Sequence, residues 1–83
     1  MIADENIQNL DDLIALGLSR TLALEPELVL LGTGARQIFP DAAYGAQFLR
    51  AGIGFEVMDT SAACRTFNVL VGEQRRVAAM LLL

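Results

Sequence analysis

The chain has no histidine, and that absence removes more chemistry than any residue present supplies. Without an imidazole there is no Ser-His-Asp or Cys-His nucleophile, and no His-ligated zinc or iron site. Lysine is missing too. The six cations are all arginines: Arg20, Arg36, Arg50, Arg65, Arg75 and Arg76. A phosphate loop of the Gly-Lys-Ser/Thr kind therefore cannot be completed. With a net charge of −4, the chain is a poor match to a phosphate backbone, which is bound by clustered cations. No nucleic-acid partner is expected. Cys64 is the lone thiol, so no internal disulfide can form, and a reducing, cytoplasmic setting is expected. No apolar run approaches the roughly 18–20 residues of a membrane span. The stretch from Met1 to Asp12 is acidic and has no basic region of the kind that opens a secretory or mitochondrial signal.

Apolar side chains are what the sequence has in abundance. Of 83 residues, 54% are hydrophobic, enough for a dense core in a chain near the lower size limit for one. The expectation is a single domain, residues 1–83, with part of its apolar surface covered by another chain or by a missing segment. A homo-oligomer follows.

The pattern alternates helix and strand. Ile7, Leu10, Leu13, Ile14, Gly17 and Leu18 share one side at helical spacing, which predicts a helix from about Asn9 to Leu18, with a further irregular or helical turn up to Glu25. Pro26 ends that segment and biases Glu25 toward extended geometry. Leu28 to Leu31 reads as a strand buried on both faces. A second helix is predicted over Asp41–Ala51, with Tyr44, Phe48 and Ala51 inward and Gly52 just past its end. Ile53 to Met58 is the next strand, with Ile53, Phe55 and Val57 on one face. A third helix, about Ser61 to Val71, stops at Gly72. Its wheel leaves a polar arc of Ser61, Arg65, Asn68 and Gly72 opposite Ala63, Phe67, Leu70 and Val71. The last strand spans about Arg76 to Leu82. Such alternation marks an α/β fold, a small central sheet flanked by helices, with strands that read as parallel.

Parallel strands would bring the Gly32-Thr33-Gly34 turn and the Asp59-Thr60 turn to one edge of the sheet, where open α/β folds bind ligands. Helix N-termini there would offer N–H groups to an anion, with Arg36 and Arg65 adding charge. The dinucleotide fingerprint fails, because Gln37 stands where its third glycine belongs. Arg65 near the start of its helix opposes the dipole, so a carboxylate, Asp59 or Glu56, is expected to hold it. Thr60 is expected to cap the helix. Cys64 reads as a small core residue rather than a reactive thiol.

The segments LLGTGARQIFP and AGIGFEVMDTSAACRTFNVLVGEQRRVAAMLLL resemble a known family. These are small α/β proteins related to the mitochondrial complex I (NADH dehydrogenase) assembly factor three, and they include an adipogenesis-associated relative. The resemblance covers roughly Pro26 to Leu83. It rests on GTG-x-R (Gly32, Thr33, Gly34, Arg36) and on MDT-x-AACRT with a following asparagine (Met58 to Asn68). It implies a three-layer fold with a mixed sheet whose closing strand runs antiparallel. It also implies no established enzymatic activity, and a role assisting respiratory-complex assembly by protein contact. The matched positions have no assigned role in the family, so none transfers as catalytic. Family members usually begin with a β-rich segment containing tryptophan. This chain has no tryptophan and starts close to its first helix, so apolar surface normally covered there is expected to be exposed.

The leading expectation is a non-enzymatic interaction or assembly module without a cofactor or metal, acting on protein partners such as respiratory-chain assembly components. Its pocket would comprise Gly32, Thr33, Gly34, Arg36, Asp59, Thr60, Arg65 and Asn68. The alternative is a small-molecule or anion-binding protein, with an enzyme as a special case, using the same cleft.

Overall fold

The computed structural model describes residues 1–3 and 7–83. Two predicted strands, a predicted last strand and three predicted helices are present, together with one strand that periodicity did not reveal. In chain order the elements are β1 (Ile2–Ala3), α1 (Leu10–Ala23), β2 (Leu28–Gly32), α2 (Ala42–Arg50), β3 (Gly54–Met58), α3 (Thr60–Gly72) and β4 (Val77–Leu81). A two-residue strand is too short to carry an alternating pattern, which is why β1 left no signal.

The strands form one sheet in the order β1-β4-β2-β3, and every neighbouring pair is parallel. The antiparallel closing strand implied by the family resemblance is therefore corrected. β4 lies beside β2 with Leu28 opposite Val77 and Gly32 opposite Leu81. A closing strand reached through a helix returns in the same direction as its neighbour, as a crossover connection requires.

Alternate residues of β2 point to opposite layers. Val29 and Leu31 join Leu13 and Ile14 of α1 and Phe48 of α2. Leu30 faces the other way, onto Ala63 of α3 with Ala79 and Leu81. Two helices thus cover one face and one covers the other. This follows from the order of the strands: α1 and α2 carry the chain one way across the sheet and α3 brings it back, so right-handed crossovers place α3 opposite. Strands buried on both faces read as unbroken apolar runs, and β2 and β4 do.

Helix boundaries follow their caps. Asn9 accepts from the Asp12 N–H at 2.8 Å, as its position predicted, but α1 continues to Ala23. Glu25 is not extended. It sits at φ 49°, in the left-handed position that lets the chain leave a helix end, and here the helix stop outweighs the bias imposed by Pro26. Beyond α2, Gly52 takes φ 76° as expected. Beyond α3 the left-handed residue is Gln74, at φ 63°, and Gly72 is merely the last helical residue. Phe48 is fully buried and Tyr44 packs against the core, whereas Ala51, predicted inward, is exposed at the end of α2. The polar arc of α3 is exposed as predicted, but Val71 is exposed with it.

Candidate functional site

The Gly32 and Asp59 turns meet at the carboxyl edge of the sheet, as parallel strands require. They occupy the place where the helices after β2 and β3 leave for opposite faces, which is the usual ligand crevice of an open α/β sheet. Here the crevice is closed by its own hydrogen bonds. Thr60 N–H donates to the Gly34 carbonyl at 2.8 Å, and Gly34 N–H donates back to Thr60 Oγ1 at 2.8 Å. The Thr60 hydroxyl then donates to the Leu82 carbonyl, so one side chain ties the loops after β2, β3 and β4 together. Leu82 N–H in turn donates to the Gly32 carbonyl.

Thr33 does the same on the other side. It is 2% exposed. Its N–H donates to the Met58 carbonyl, and its hydroxyl donates to the Arg36 carbonyl while accepting from Ile38 N–H at 2.9 Å. The turns approach so closely that a Cβ on Gly32 would lie 2.9 Å from Thr60 Cα and 2.9 Å from Leu81 Cδ2. That distance is the reason for glycine at 32. Gly34 is required for a different cause, its φ of 93°.

Several side-chain expectations change. Thr60 is not the cap of α3. Asp59 is, with its carboxylate accepting from Ala62 N–H at 2.8 Å. Asp41 caps α2 in the same way, accepting from Ala43 N–H at 2.9 Å. Both helix N-termini at this edge are therefore already met by carboxylates, which leaves little positive potential for an anion. Arg65 is exposed and donates to Ser61 Oγ at 2.8 Å. Among the described residues it forms no ion pair with Asp59 or Glu56. The ion pair that is found joins Arg75 and Glu27 at 3.5 Å, at the opposite edge. Arg36 and Asn68 also lie on the surface. The structure thus brings together Gly32, Thr33, Gly34, Asp59 and Thr60, and leaves Arg36, Arg65 and Asn68 outside that group. Cys64 is half-buried against the Leu30–Ala63 layer, as a small core residue would be.

The open concavities are elsewhere. One of about 670 Å³ lies at the amino edge, floored by Leu22, Pro26 and Ile53 and rimmed by Glu25, Glu27 and Arg76. A second, about 390 Å³ and mostly apolar, runs beside β3 between Phe39, Gly45, Phe55 and Val57. Phe39 is 74% exposed, and Leu49 on α2 is 67% exposed. Sequence reasoning missed these exposed apolar side chains because Phe39 and Leu49 fall outside the periodic apolar stripes that mark the helices and strands. No group of three or more metal-ligating side chains is found among the described residues, and no helix is long and apolar enough to cross a membrane.

Comparison with known proteins places this architecture. A crystal structure from Bordetella parapertussis matches with a TM-score of 0.81 and 40% identity, covering 95% of this chain and 68% of that one. NADH dehydrogenase (ubiquinone) 1 alpha subcomplex assembly factor 3 of Danio rerio is 40% identical over 79 residues, 93% of this chain and 45% of that protein. A 13 kDa major membrane protein of Francisella tularensis is 38% identical over 61 residues, 74% of this chain and 50% of that protein. The chain thus spans about half the length of these two relatives. The family of proteins of unknown function DUF498/DUF598 matches residues 3–82, and the chain belongs to it.

Proposed function

We propose that the chain is a non-enzymatic protein-interaction module that serves the assembly of a larger complex and associates with itself. The observation that carries this reading is the closed carboxyl edge. Every hydroxyl in the crevice has a partner within the chain, and both nearby helix N-termini hold their own aspartates. An anion or nucleotide would have to break those bonds to enter. Large apolar side chains, by contrast, stand in water at Phe39, Leu49, Val69 and Ile38. Such exposure in a small domain favours a protein partner. The name of the Danio rerio relative supports complex I assembly components as the partners. A reducing, cytoplasmic setting suits the half-buried, lone Cys64.

The reading is tested by thermal stabilisation across a panel of nucleotides and anionic metabolites, alongside direct titration with purified complex I subcomplexes. The expected result is no stabilisation by small molecules and saturable binding to a subcomplex. A metabolite that raises the melting temperature by several degrees, with the shift lost in Arg36→Ala, would overturn it in favour of a ligand-binding protein.

A further inference from the structure

We propose that the terminal strand β3 is guarded against strand addition, with the Gln37 side chain as a removable stop and the Glu56 charge opposing the one short register that its removal would open. A partner then meets this flank through side chains, not as an added strand. This goes beyond the interaction role put forward above.

β3 ends the sheet beside β2, and its Phe55 and Val57 border the apolar groove and exposed Phe39. An apolar terminal strand invites pairing with another chain. The other terminal strand, β1, has two residues, and a very short edge is itself a protection. β3 has five and needs another device.

That device lies along its outer side. Gly54 N–H donates to the Glu27 carbonyl, and the Met58 carbonyl accepts from Thr33 N–H, so these groups face β2. Backbone groups alternate along a strand, which turns those of Ile53, Phe55 and Val57 outward. Ile53 N–H is taken by the Phe48 carbonyl at 2.9 Å, and the Val57 carbonyl by Gln37 Nε2 at 2.9 Å. Both partners stand in the space that the backbone of an added strand would occupy, about 4.8 Å from β3. From Ile53 to Val57 the chain advances only about 13 Å, against roughly 17–20 Å for an ordinary strand.

The two stops differ in kind. The Phe48 carbonyl belongs to the last turn of α2, where it also accepts from Ala51 N–H at 3.0 Å, and Phe48 is fully buried. It cannot swing away. Gln37 is an exposed side chain that can rotate out. With Gln37 gone, Phe55 and Val57 have all their outward groups free, while Ile53 stays blocked. The antiparallel register that uses only those two residues sets Phe55 of each copy opposite Val57 of the other, each exchanging both of its bonds. Its centre is Glu56, which is exposed. The two Glu56 side chains would lie directly opposite, with their Cα atoms about 4.5 Å apart, and like charges so placed are destabilising. The stop and the charge therefore protect the same residues in succession.

The experiment compares the parent, Glu56→Gln and the double variant Gln37→Ala/Glu56→Gln by sedimentation equilibrium and NMR amide exchange over a wide range of concentration. In the parent, Phe55 and Val57 amides should exchange freely at every concentration. Glu56→Gln should behave alike, because Gln37 still holds the Val57 carbonyl. The double variant should associate at concentrations about tenfold or more below any at which the parent does, with Phe55 and Val57 amides gaining protection in step. A double variant that associates no more than the parent, or whose Phe55 and Val57 amides stay unprotected as it associates, would overturn the guard. So would Glu56→Gln associating as strongly as the double variant, since Gln37 would then stop nothing. Should the double variant fail to fold, the unaltered chain decides: amides of Phe55 and Val57 that become protected as concentration rises overturn the guard, and amides that stay open support it. A parent that remains monomeric counts against the self-association put forward above, while the guard is still judged on the double variant.

Discussion

The two ends of the sheet are built on opposite plans. At the carboxyl edge, part-buried hydrogen bonds of the Thr33 and Thr60 hydroxyls tie the ends of β2, β3 and β4 into one unit. At the amino edge, besides backbone bonds from Glu27 N–H to the Arg76 carbonyl at 2.8 Å and from Gly54 N–H to the Glu27 carbonyl at 3.0 Å, the side-chain ties are an exposed ion pair, Glu27 with Arg75, whose side chains are 41% and 45% exposed, and a bond from Arg76 N–H to Glu27 at 3.2 Å. Two of the three helix exits there use non-glycine residues in left-handed geometry, Glu25 and Gln74. A domain this small has few residues with which to hold three loops in place. The carboxyl edge does it with two threonines and two glycines, and the motif GTG…DT is explained by structure before any ligand is invoked. The difference locates stability at one end and tolerance to change at the other.

Breaking the tight end should have the largest effect. Thr60→Val keeps the shape of the side chain but removes the hydroxyl, which strands Gly34 N–H and removes the donor to the Leu82 carbonyl. Leaving such part-buried groups unmatched should lower stability by about 2–4 kcal/mol, read from urea unfolding. Thr60→Ser keeps the hydroxyl and should recover most of the loss. A Thr60→Val protein as stable as the parent would mean that water replaces the hydroxyl there and that the edge is not closed.

The loose end should respond in the other direction and by less. Gln74 holds φ 63°, its N–H bonded to the Val71 carbonyl, and Arg75 N–H reaches back to Leu70. A side chain in this geometry costs free energy that glycine does not incur. Set against the larger unfolded-state entropy of glycine, Gln74→Gly should gain about 0.5 kcal/mol, visible as a melting temperature higher by a few degrees. A loss on this substitution would show that the Gln74 side chain contributes contacts at the amino edge.

How much of this was legible from residues alone depended on range. The helices and the strands β2, β3 and β4 were readable because each repeats a local pattern, and the direction of β4 followed from the helix that precedes it. β1 has two residues and no pattern to read. The meeting of the Gly32 and Asp59 turns followed from topology, but its consequence did not. Thr60 and Asp59 are adjacent and both suit a helix cap, and the choice between them was settled by Gly34 and Leu82, each more than twenty residues away. Arg65 was assigned a carboxylate because its position opposes the helix dipole. Exposure removes most of that penalty, and Ser61 one turn earlier suffices.

The smallest effect concerns pH, and it tests whether the amino edge contributes any electrostatic tie at all. Glu27 is held below its ordinary value first by the hydrogen bond from Arg76 N–H and then by the charge and side-chain contact of Arg75. A carboxylate whose pKa is depressed on folding stabilises the fold above its unfolded value of about 4.3. That contribution fades as pH falls through the folded value, because protonation then removes the charge that Arg75 and Arg76 favour. Stability of the parent should therefore decline more steeply on acidification below about pH 4.3 than that of Glu27→Gln, which has no charge to lose at this position. Since both partners are exposed, the difference should shrink in high salt. Parallel acid limbs for the two proteins at low salt would show that the Glu27 pair exerts no hold on the amino edge, and that β2 and β4 are registered there by their backbone bonds alone.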